Sequence, residues 1–230
     1  MAEVRDGRPG APRRYHSPRR AEQAAATRGA VLAAARELFV AQGYLGTTVA
    51  DVARRAQVAV DTVYATVGRK PELLREVLET ALSGTGQAVP ARQRDYVVRI
   101  RAAGTAREKL ALYAAAVVDI QARLAPIFLA LRDAAVSDPA SAAEWERISR
   151  RRAANMREFA ADLRASGELR PDLSDDEVAD VVWSMNGPEY WVLLVGDRGW
   201  TPERFGAFLT DAWTRMLIAP ITSPRCPGSP

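Results

Sequence analysis

The stretch that decides the fold is "GYLGTTVADVARRAQVAVDTVYATVGRKPELL", from Gly43 to Leu74. It contains two short helical patterns joined by a tight turn. The first begins at Thr48, where "TVAD" has the form of a capping box, and ends near Gln57. The second runs from about Val60 to Val67 and is too short to be stable alone. Two such helices packed on a longer one form a helix-turn-helix, which sets its second helix into the major groove of DNA.

A longer helix is predicted on each side of this stretch. The earlier one spans Glu22 to Ala41, with apolar residues at helical spacing and Gly43 as the residue that ends it. The later one starts beside Pro71, because proline suits the first turn of a helix, and it continues to about Ser83. A glycine-rich joint follows, and we place the end of the first domain there, at residue 84.

The rest of the chain is also predicted to be helical, because Ala, Leu, Arg and Glu dominate and alternating strand-like runs are absent. Proline positions suggest two interruptions. Pro126 is expected to open a new helix after one that runs from about Thr105 to Leu124. Pro188 is expected to kink the helix that begins at the capping box of Ser174. The predicted fold class is all-α.

Composition is that of an ordinary soluble protein. Hydrophobic residues make up 48% and charged residues 26% of the 230 residues. Uncharged apolar runs fall short of the roughly 18 residues that a membrane span needs, so no span is predicted. The net charge of +4 is concentrated in residues 1–20, where six arginines face only Glu3 and Asp6. Attraction to a polyanion is therefore expected from this arm and from local patches rather than from the whole fold.

An enzyme is the competing class of protein, and the sequence argues against it. The single histidine, His16, lies in the basic arm, and the single cysteine, Cys226, lies in the C-terminal tail. No His-based acid/base pair and no Cys/His metal cluster can be formed, so we predict no catalytic residue, metal site or cofactor. One cysteine allows no internal disulfide, which favours a cytoplasmic location. A helical adaptor that does not bind DNA remains a third alternative.

The residues around the turn closely resemble the DNA-binding domain of TetR-family transcriptional repressors. In that family a Gly-Tyr pair precedes a Thr-Thr helix start, and a Thr-aliphatic-Tyr core is followed by a Lys and a Leu-Leu pair. The matching residues here are Gly43-Tyr44, Thr47-Thr48, Val52-Ala53, Ala56, Val58, Thr62-Val63-Tyr64, Lys70 and Leu73-Leu74. The resemblance implies an N-terminal three-helix helix-turn-helix DNA-binding domain followed by a C-terminal helical ligand-binding and dimerisation domain.

Three positions depart from the family pattern. Gln57 stands where the turn usually has Gly, so it must take an unusual backbone conformation or alter the turn. Ala59 replaces the usual Ser and provides no side-chain cap for the next helix. Val67 replaces the usual Phe after the recognition helix and fills less of the core.

The resemblance also implies which residues contact DNA. Thr48, Tyr64 and Lys70 correspond to phosphate contacts. The remaining predicted contacts are Thr47, at a helix start, and the groove-facing residues of the recognition helix. The predicted DNA-binding residues are Thr47, Thr48, Val60, Asp61, Thr62, Tyr64, Ala65, Thr66 and Lys70.

Some charged groups have two interpretations. Asp61 either accepts a hydrogen bond from a cytosine amino group or only suits the dipole of the helix start. Arg54 and Arg55 either contact the DNA backbone or are solvated. The Arg-rich arm either enters a neighbouring minor groove or is simply disordered.

The C-terminal region resembles that of many TetR-type regulators in the stretch from Gly167 to Trp213. The large apolar residues of the whole C-terminal region either form plain core or line a pocket between helices for an apolar or amphipathic molecule. The predicted ligand-binding residues are Tyr113, Phe128, Met156, Trp183, Asn186, Glu189 and Tyr190. The resemblance places the dimer interface on the last two helices, with Phe205, Trp213 and Met216 as candidates.

These inferences divide the chain into four parts: a disordered basic arm (1–20), the DNA-binding domain (21–84), the ligand-binding and dimerisation domain (85–219) and a disordered tail (220–230). The predicted function is that of a homodimeric transcriptional regulator, a repressor that leaves its operator when a small molecule binds. The predicted partners are double-stranded operator DNA, a small-molecule effector and a second copy of the chain. The sequence identifies neither the effector nor the operator.

Overall fold

The computed structural model describes residues 18–85 and 89–220. The predicted arm lies outside these ranges except for residues 18–20, which belong to the first helix and are therefore not part of a disordered arm. The predicted tail lies outside them except for Pro220. His16 and Cys226 are also outside the described residues.

The described residues form ten α-helices and no β-strand, which confirms the all-α fold class. A 3-10 turn at Ala91–Gln93 precedes α5, and a π-helical segment at Val192–Asp197 follows α9. The helices are α1 Pro18–Gly46, α2 Val49–Arg55, α3 Val60–Thr66, α4 Lys70–Ser83, α5 Asp95–Ala102, α6 Ala106–Ala135, α7 Pro139–Arg164, α8 Asp175–Met185, α9 Pro188–Trp191 and α10 Pro202–Leu217.

Helices α1 to α4 form the N-terminal head. The predicted break after the first helix is confirmed at Gly43, whose φ of 74° is not helical although three more residues follow in the same assigned segment. The capping box of α2 is also confirmed, because the Thr48 hydroxyl accepts from the Asp51 amide and the Asp51 carboxylate accepts from the Thr48 amide. Phe39 and Val63 are fully buried and join the four helices into one core.

Helix α6 is the central helix of the remaining chain. The break predicted at Pro126 is wrong. The helix runs through this proline and packs against α1, α4, α5, α7 and α10. Pro126 is exposed, as is Ala122, whose carbonyl loses its helical donor and can be hydrated instead. Ile127 and Phe128 are buried on the opposite side, so packing holds the backbone helical where the local rule predicts a break.

By length and composition alone, α6 is also long and apolar enough to cross a membrane. Of its most apolar 18-residue window, 56% is buried inside the protein. The core helix of a soluble protein has this same character, and this is the position that α6 occupies here.

Pro188 produces a break rather than the predicted kink. Helix α8 ends at Met185, and the chain passes through Gly187 in an extended conformation (φ −69°, ψ 151°) before α9 begins at Pro188. Asn186 lies in this break, and 5% of it is exposed. The break therefore places a polar side chain inside the second half of the protein, together with a backbone carbonyl that accepts from the Gln121 side chain.

The head and the second region share one packed cluster. Leu74 of α4 and Phe39 of α1 belong to the same buried cluster as Leu124 and Phe128 of α6 and Ile148 of α7. The domain boundary at residue 84 stays a prediction, and apolar packing continues across this position.

Candidate functional site

Helix α3 is fixed in the head by one buried residue and presents its other side to solvent. Val63 is fully buried, whereas Val60 and Tyr64 are 38% and 48% exposed. Asp61 and Ala65 are also exposed, and Thr62 and Thr66 are partly buried. Of the groove-facing residues predicted from the sequence, Val60, Asp61 and Ala65 are thus exposed to a partner, and the two threonines are exposed only in part.

The turn between α2 and α3 is a Schellman motif. The Val58 amide donates to the Ala53 carbonyl oxygen at 3.0 Å, and the Gln57 amide donates to that of Arg54 at 3.2 Å. This motif requires a left-handed residue at its centre, and Gln57 has a φ of 56°. Gln57 is the one non-glycine residue with positive φ among the described residues. Of the two alternatives left open by the sequence at this position, the structure therefore shows the unusual backbone conformation.

Gln57→Gly is expected to raise the free energy of unfolding by about 0.5 kcal/mol. The left-handed conformation costs a non-glycine residue about 1 kcal/mol, and glycine avoids this cost. Part of the gain is lost because glycine makes the unfolded chain more flexible. Urea denaturation followed by circular dichroism measures the change. Gln57→Ala is the control, since alanine keeps the Cβ and should give no gain. Equal stabilisation by both variants would show that the side chain, and not the backbone, is unfavourable here.

The two threonines before α2 have different environments. Thr48 is exposed, and its hydroxyl lies 2.6 Å from the Asp51 carboxylate oxygen, to which it donates. These hydrogen bonds from Thr48 hold the pKa of Asp51 below its usual value. Thr47 is only 1% exposed, and its hydroxyl donates to the Gly43 carbonyl at 2.9 Å. The structure therefore gives the Thr47 side chain a role in closing α1 and does not present it to a partner.

Lys70 begins α4 with its ammonium group turned back onto the head. Its Nζ lies 4.4 Å from the centroid of the Tyr44 ring and donates to the Leu45 carbonyl oxygen at 3.3 Å. Burial lowers the pKa of Lys70, while the nearby Asp138 at the start of α7 raises it. Lys70 thus has structural contacts within the head, and its contact with phosphate stays a prediction.

The two arginines of α2 are both paired with acids. Arg54 contacts Asp51 within the helix, and Arg55 forms a 2.6 Å ion pair with Glu37 of α1. Both guanidinium groups are more than half exposed, so these pairs contribute little to stability. Asp61 is exposed and has no hydrogen bond or ion pair within the described residues.

A cavity of about 760 Å³ lies in the second half of the protein. Its wall is formed by α4, α5, α6 and α7 and by the break after α8. Four of the predicted ligand-binding residues, Tyr113, Phe128, Met156 and Asn186, belong to this wall. The volume is within the range of pockets that bind small molecules.

Trp183, Glu189 and Tyr190 lie outside this cavity wall. Trp183 and Tyr190 are seven residues apart and would share one face of a continuous helix, but the chain breaks between them after α8. Glu189 forms a 3.5 Å ion pair with Arg132, and Tyr190 packs against Phe208 at 6.3 Å between ring centroids. The Trp183 ring lies beside the Arg152 guanidinium, 5.2 Å from its Cζ.

A polar network at the break is the main part of the cavity that the sequence interpretation missed. Arg152 donates through Nη2 to Asn186 Oδ1 at 2.6 Å, and Asn186 Nδ2 donates to the Tyr113 hydroxyl at 2.8 Å. Gln121 Nε2 donates to the Asn186 backbone carbonyl at 2.5 Å. Burial raises the pKa of the Tyr113 hydroxyl and lowers the pKa of Arg152.

The sequence contains a signal for Arg152. It precedes Met156, Ala160 and Leu163 by four, eight and eleven residues, so it belongs to the buried stripe of α7. A cation within an apolar stripe is uncommon unless it has a partner.

Two of the three candidates for the dimer interface are in the core. Phe205 and Trp213 are fully buried against α6 and α8, and Trp213 stacks on the Tyr113 ring at 5.7 Å. Met216 is 42% exposed and remains a candidate. A strong apolar stripe such as that of α10 suits an inner face as well as an interface, and here its buried residues form an inner face.

The family model described as "Bacterial regulatory proteins, tetR family" matches residues 31–77, which include α2 and α3 and most of α1 and α4. No curated protein matches this chain at the level of sequence.

Several solved structures have the same fold. NalD of Pseudomonas aeruginosa, the secondary repressor of the MexAB-OprM multidrug efflux pump, is 19% identical, with 85% of this chain and 98% of that chain covered and a TM-score of 0.64. FadR from Bacillus subtilis in complex with stearoyl-CoA is also 19% identical, with 80% and 96% covered and a TM-score of 0.64. KstR2 of Mycobacterium tuberculosis, a ketosteroid transcriptional regulator, is 21% identical, with 84% and 95% covered and a TM-score of 0.54.

Proposed function

Because the chain belongs to the TetR family of DNA-binding transcriptional regulators, we propose that it is a homodimeric repressor released from its operator by a small molecule. The effector is an apolar or amphipathic compound that occupies the 760 Å³ cavity. The protein acts in the cytoplasm and needs no cofactor or metal for this function. A catalytic role has no support from its fold or family, which are those of regulators.

The DNA-contacting surface in this proposal is the exposed face of α3 together with the starts of α2 and α4. Val60, Thr62, Ala65 and Thr66 are small residues suited to contacts with thymine methyl groups. Asp61 lies in the first turn of α3, where an acid suits the helix dipole and can accept from a cytosine amino group. The phosphate contacts are assigned to Thr48, Tyr64 and Lys70.

The observation that carries the proposal is that α4 reaches both sites. It begins at Lys70 beside α3, and Leu78, Glu79 and Leu82 from its second half belong to the cavity wall. Its C-terminal end is held by Arg123 of α6, whose Nε donates to the Ala81 carbonyl at 2.9 Å. A ligand in the cavity therefore contacts a helix of the head, the one that follows the recognition helix along the chain and packs against α1.

Release follows from a shift between two conformations of the dimer. A ligand that binds more tightly to one position of α4 raises the population of that position. The two heads of the dimer are then no longer spaced for consecutive major grooves, and affinity for the operator falls. The structure of FadR with stearoyl-CoA supports an amphipathic effector for a protein of this fold.

The proposal is tested with DNA from upstream of the protein's own gene. Fluorescence anisotropy at low salt should detect binding to a palindromic site in that DNA, and light scattering should give the mass of a dimer. Binding that weakens on addition of an effector supports the whole proposal. The absence of binding to every palindromic site in that region at low salt would exclude the repressor function.

Tyr64→Phe combined with Lys70→Ala is expected to lower affinity for all DNA sequences alike. Fewer phosphates are then neutralised and fewer counterions are released, so the salt dependence of log K should become shallower by about one unit for each phosphate that is no longer neutralised. Anisotropy titrations at several salt concentrations measure both effects on the operator and on an unrelated duplex. Weaker binding confined to one sequence would show that these side chains read bases instead. Circular dichroism checks that the head stays folded when Lys70 no longer packs on Tyr44 and Leu45.

A further inference from the structure

We infer that the cavity binds an amphipathic organic anion, whose charged group is held by Arg152 and whose apolar body lies along α5, α6 and α7. This inference rests on the proposed function only in that the cavity is taken as the effector site. It goes further by assigning the charge of the ligand and the residue that recognises it.

The charges on the cavity wall are unbalanced in favour of cations. Its acids are Glu79, Glu158 and Asp162. Its arginines are Arg92, Arg94, Arg101, Arg151 and Arg152. A surface of this composition attracts an anion and repels a cation.

The acids of the wall are already paired. Glu79 contacts both Arg94, at 3.3 Å, and Arg151. Glu158 is shared between two further arginines of the wall, and Asp162 accepts from the Lys109 ammonium group at 2.7 Å. Within the described ranges, no carboxylate of the wall is therefore left to receive a cationic ligand or to neutralise Arg152.

Arg152 has only neutral partners in the described part of the chain. Its Nη2 donates to Asn186 Oδ1 at 2.6 Å and to the Trp183 carbonyl oxygen at 3.3 Å. The charge of Glu189, on the neighbouring α9, raises the pKa of Arg152, but the ion pair of Glu189 is with Arg132. The other nitrogens of the Arg152 guanidinium, Nε and Nη1, donate to no group of the described residues.

The burial of this cation is costly without an anion. Arg152 lies between the rings of Phe128 and Trp183, whose centroids are 5.8 and 5.2 Å from its Cζ. Burial lowers the pKa of Arg152, which reflects the loss of water around its charged form. An anionic group bound there restores the missing counter-charge, so binding energy is gained at the charged end of the ligand.

A second donor lies beside Arg152. Asn186 Nδ2 donates to the Tyr113 hydroxyl oxygen at 2.8 Å, so the O–H of Tyr113 is left to donate elsewhere. Its acceptor in the structure is the Met156 sulfur at 3.5 Å, which is a weak acceptor. Arg152 and Tyr113 are thus two donors on either side of one amide, a suitable arrangement for the oxygens of a carboxylate or sulfonate.

The rest of the wall suits an apolar body. Its apolar side chains come from all four surrounding helices, and they include Leu78, Ile100, Val117, Ile120, Leu124 and Phe159. With the charged group at the break after α8, the body of the ligand lies along these residues toward α4. The ligand therefore contacts the helix through which release is proposed.

Two fluorescent probes that differ in charge test this inference on the full-length protein. 1-Anilinonaphthalene-8-sulfonate and N-phenyl-1-naphthylamine share one ring system, and only the first carries a sulfonate. The wild-type protein is expected to bind the sulfonate at least about tenfold more tightly, as one good charged contact provides. Equal affinity for both probes, or tighter binding of the neutral one, would overturn the inference without any variant.

Arg152→Met is expected to weaken binding of the sulfonate about tenfold and to leave binding of the neutral probe within about threefold. Arg150→Met is the matched control, because it removes the same charge two residues away on the exposed side of α7, where Arg150 pairs with Glu146 at 2.6 Å. It should change neither affinity. Equal weakening of the sulfonate by both variants would show an effect of net charge and overturn the role of Arg152.

Arg152→Lys and a DNA measurement complete the test. Arg152→Lys keeps the positive charge and should retain more preference for the sulfonate than Arg152→Met does; no difference between them would count against a charged contact. Binding to upstream DNA is measured on the same samples. If the wild-type protein binds DNA but does not prefer the sulfonate probe, this inference alone is overturned. If it prefers the sulfonate probe but does not bind DNA, the repressor proposal alone is overturned.

Discussion

Ala65→Glu is expected to lower affinity for DNA by about 100-fold, equivalent to about 2.7 kcal/mol. Ala65 is exposed on α3, on the same side as Tyr64, where the recognition helix is proposed to enter the major groove. A carboxylate at this position is brought among phosphates and base acceptors, and like charges at an interface cost several kcal/mol. Helix α3 should remain folded, because alanine and glutamate differ by only a few tenths of a kcal/mol in helix propensity.

The measurement is fluorescence anisotropy with upstream DNA, and the control is Ala161→Glu. Ala161 is an exposed alanine on α7, so this variant makes the same change in composition and net charge away from the head. It should bind DNA within about twofold of the wild type, as expected for a distant charge that is largely screened. If both variants bind more weakly to the same extent, or if Ala65→Glu binds normally, α3 is not the helix that enters the groove.

Trp213→Ala is expected to lower the free energy of unfolding by about 4 kcal/mol, because it removes a fully buried indole and leaves a cavity. Trp213→Phe should cost only about 1 kcal/mol. The reason is that the indole N–H of Trp213 is buried without an acceptor among the described residues, so phenylalanine removes an unfavourable group as well as some packing. Denaturant unfolding followed by circular dichroism, at one fixed protein concentration, gives both values.

The same variants separate a core role from an interface role. In a core position, Trp213→Ala destabilises the protein at every concentration, while Met216→Ala, at an exposed position, changes stability by less than about 0.5 kcal/mol. A folded monomer of Trp213→Ala with unchanged resistance to denaturant would place the indole at the dimer interface instead.

The helix starts could be predicted because their determinants are local. Thr48 and Ser174 form the capping boxes that their sequences indicate, and Thr201 caps α10 by accepting from the Arg204 amide at 3.2 Å. Each cap depends on residues no more than three positions apart, so a single sequence contains all the information. The unusual conformation of Gln57 was one of two alternatives, because the family pattern has Gly at this position and a Gln there must adopt that conformation or alter the turn.

The two prolines show where local rules stop. Pro126 lies within α6 because packing on several sides holds the helix, whereas Pro188 starts a new helix after the extended residue Gly187. Both prolines disfavour a continuous helix to a similar extent in isolation. The difference comes from tertiary contacts, which a single sequence does not specify.

The cavity was predicted only in part for the same reason. Tyr113, Phe128, Met156 and Asn186 are recognisable in the sequence as large apolar or polar groups, and they lie on the cavity wall. Trp183 and Tyr190 would share a face of one kinked helix, but α8 ends at Met185 and a new helix starts at Pro188, so neither residue reaches the wall. Arg152 stands in a run of three arginines that resembles a solvated surface, so this run does not distinguish it as a residue of the cavity wall.

The apolar cluster that joins Phe39 and Leu74 to Leu124, Phe128 and Ile148 has a consequence for modularity. A head cut from the chain after α4 would expose the leucine side chains that now pack on α6. Regulators with new combinations of operator and effector are often sought by joining the head of one protein to the second domain of another. For this chain such an exchange has to include the α6 and α7 residues that pack against the head. The segment that must be transferred to change DNA specificity is therefore larger than the helix-turn-helix itself.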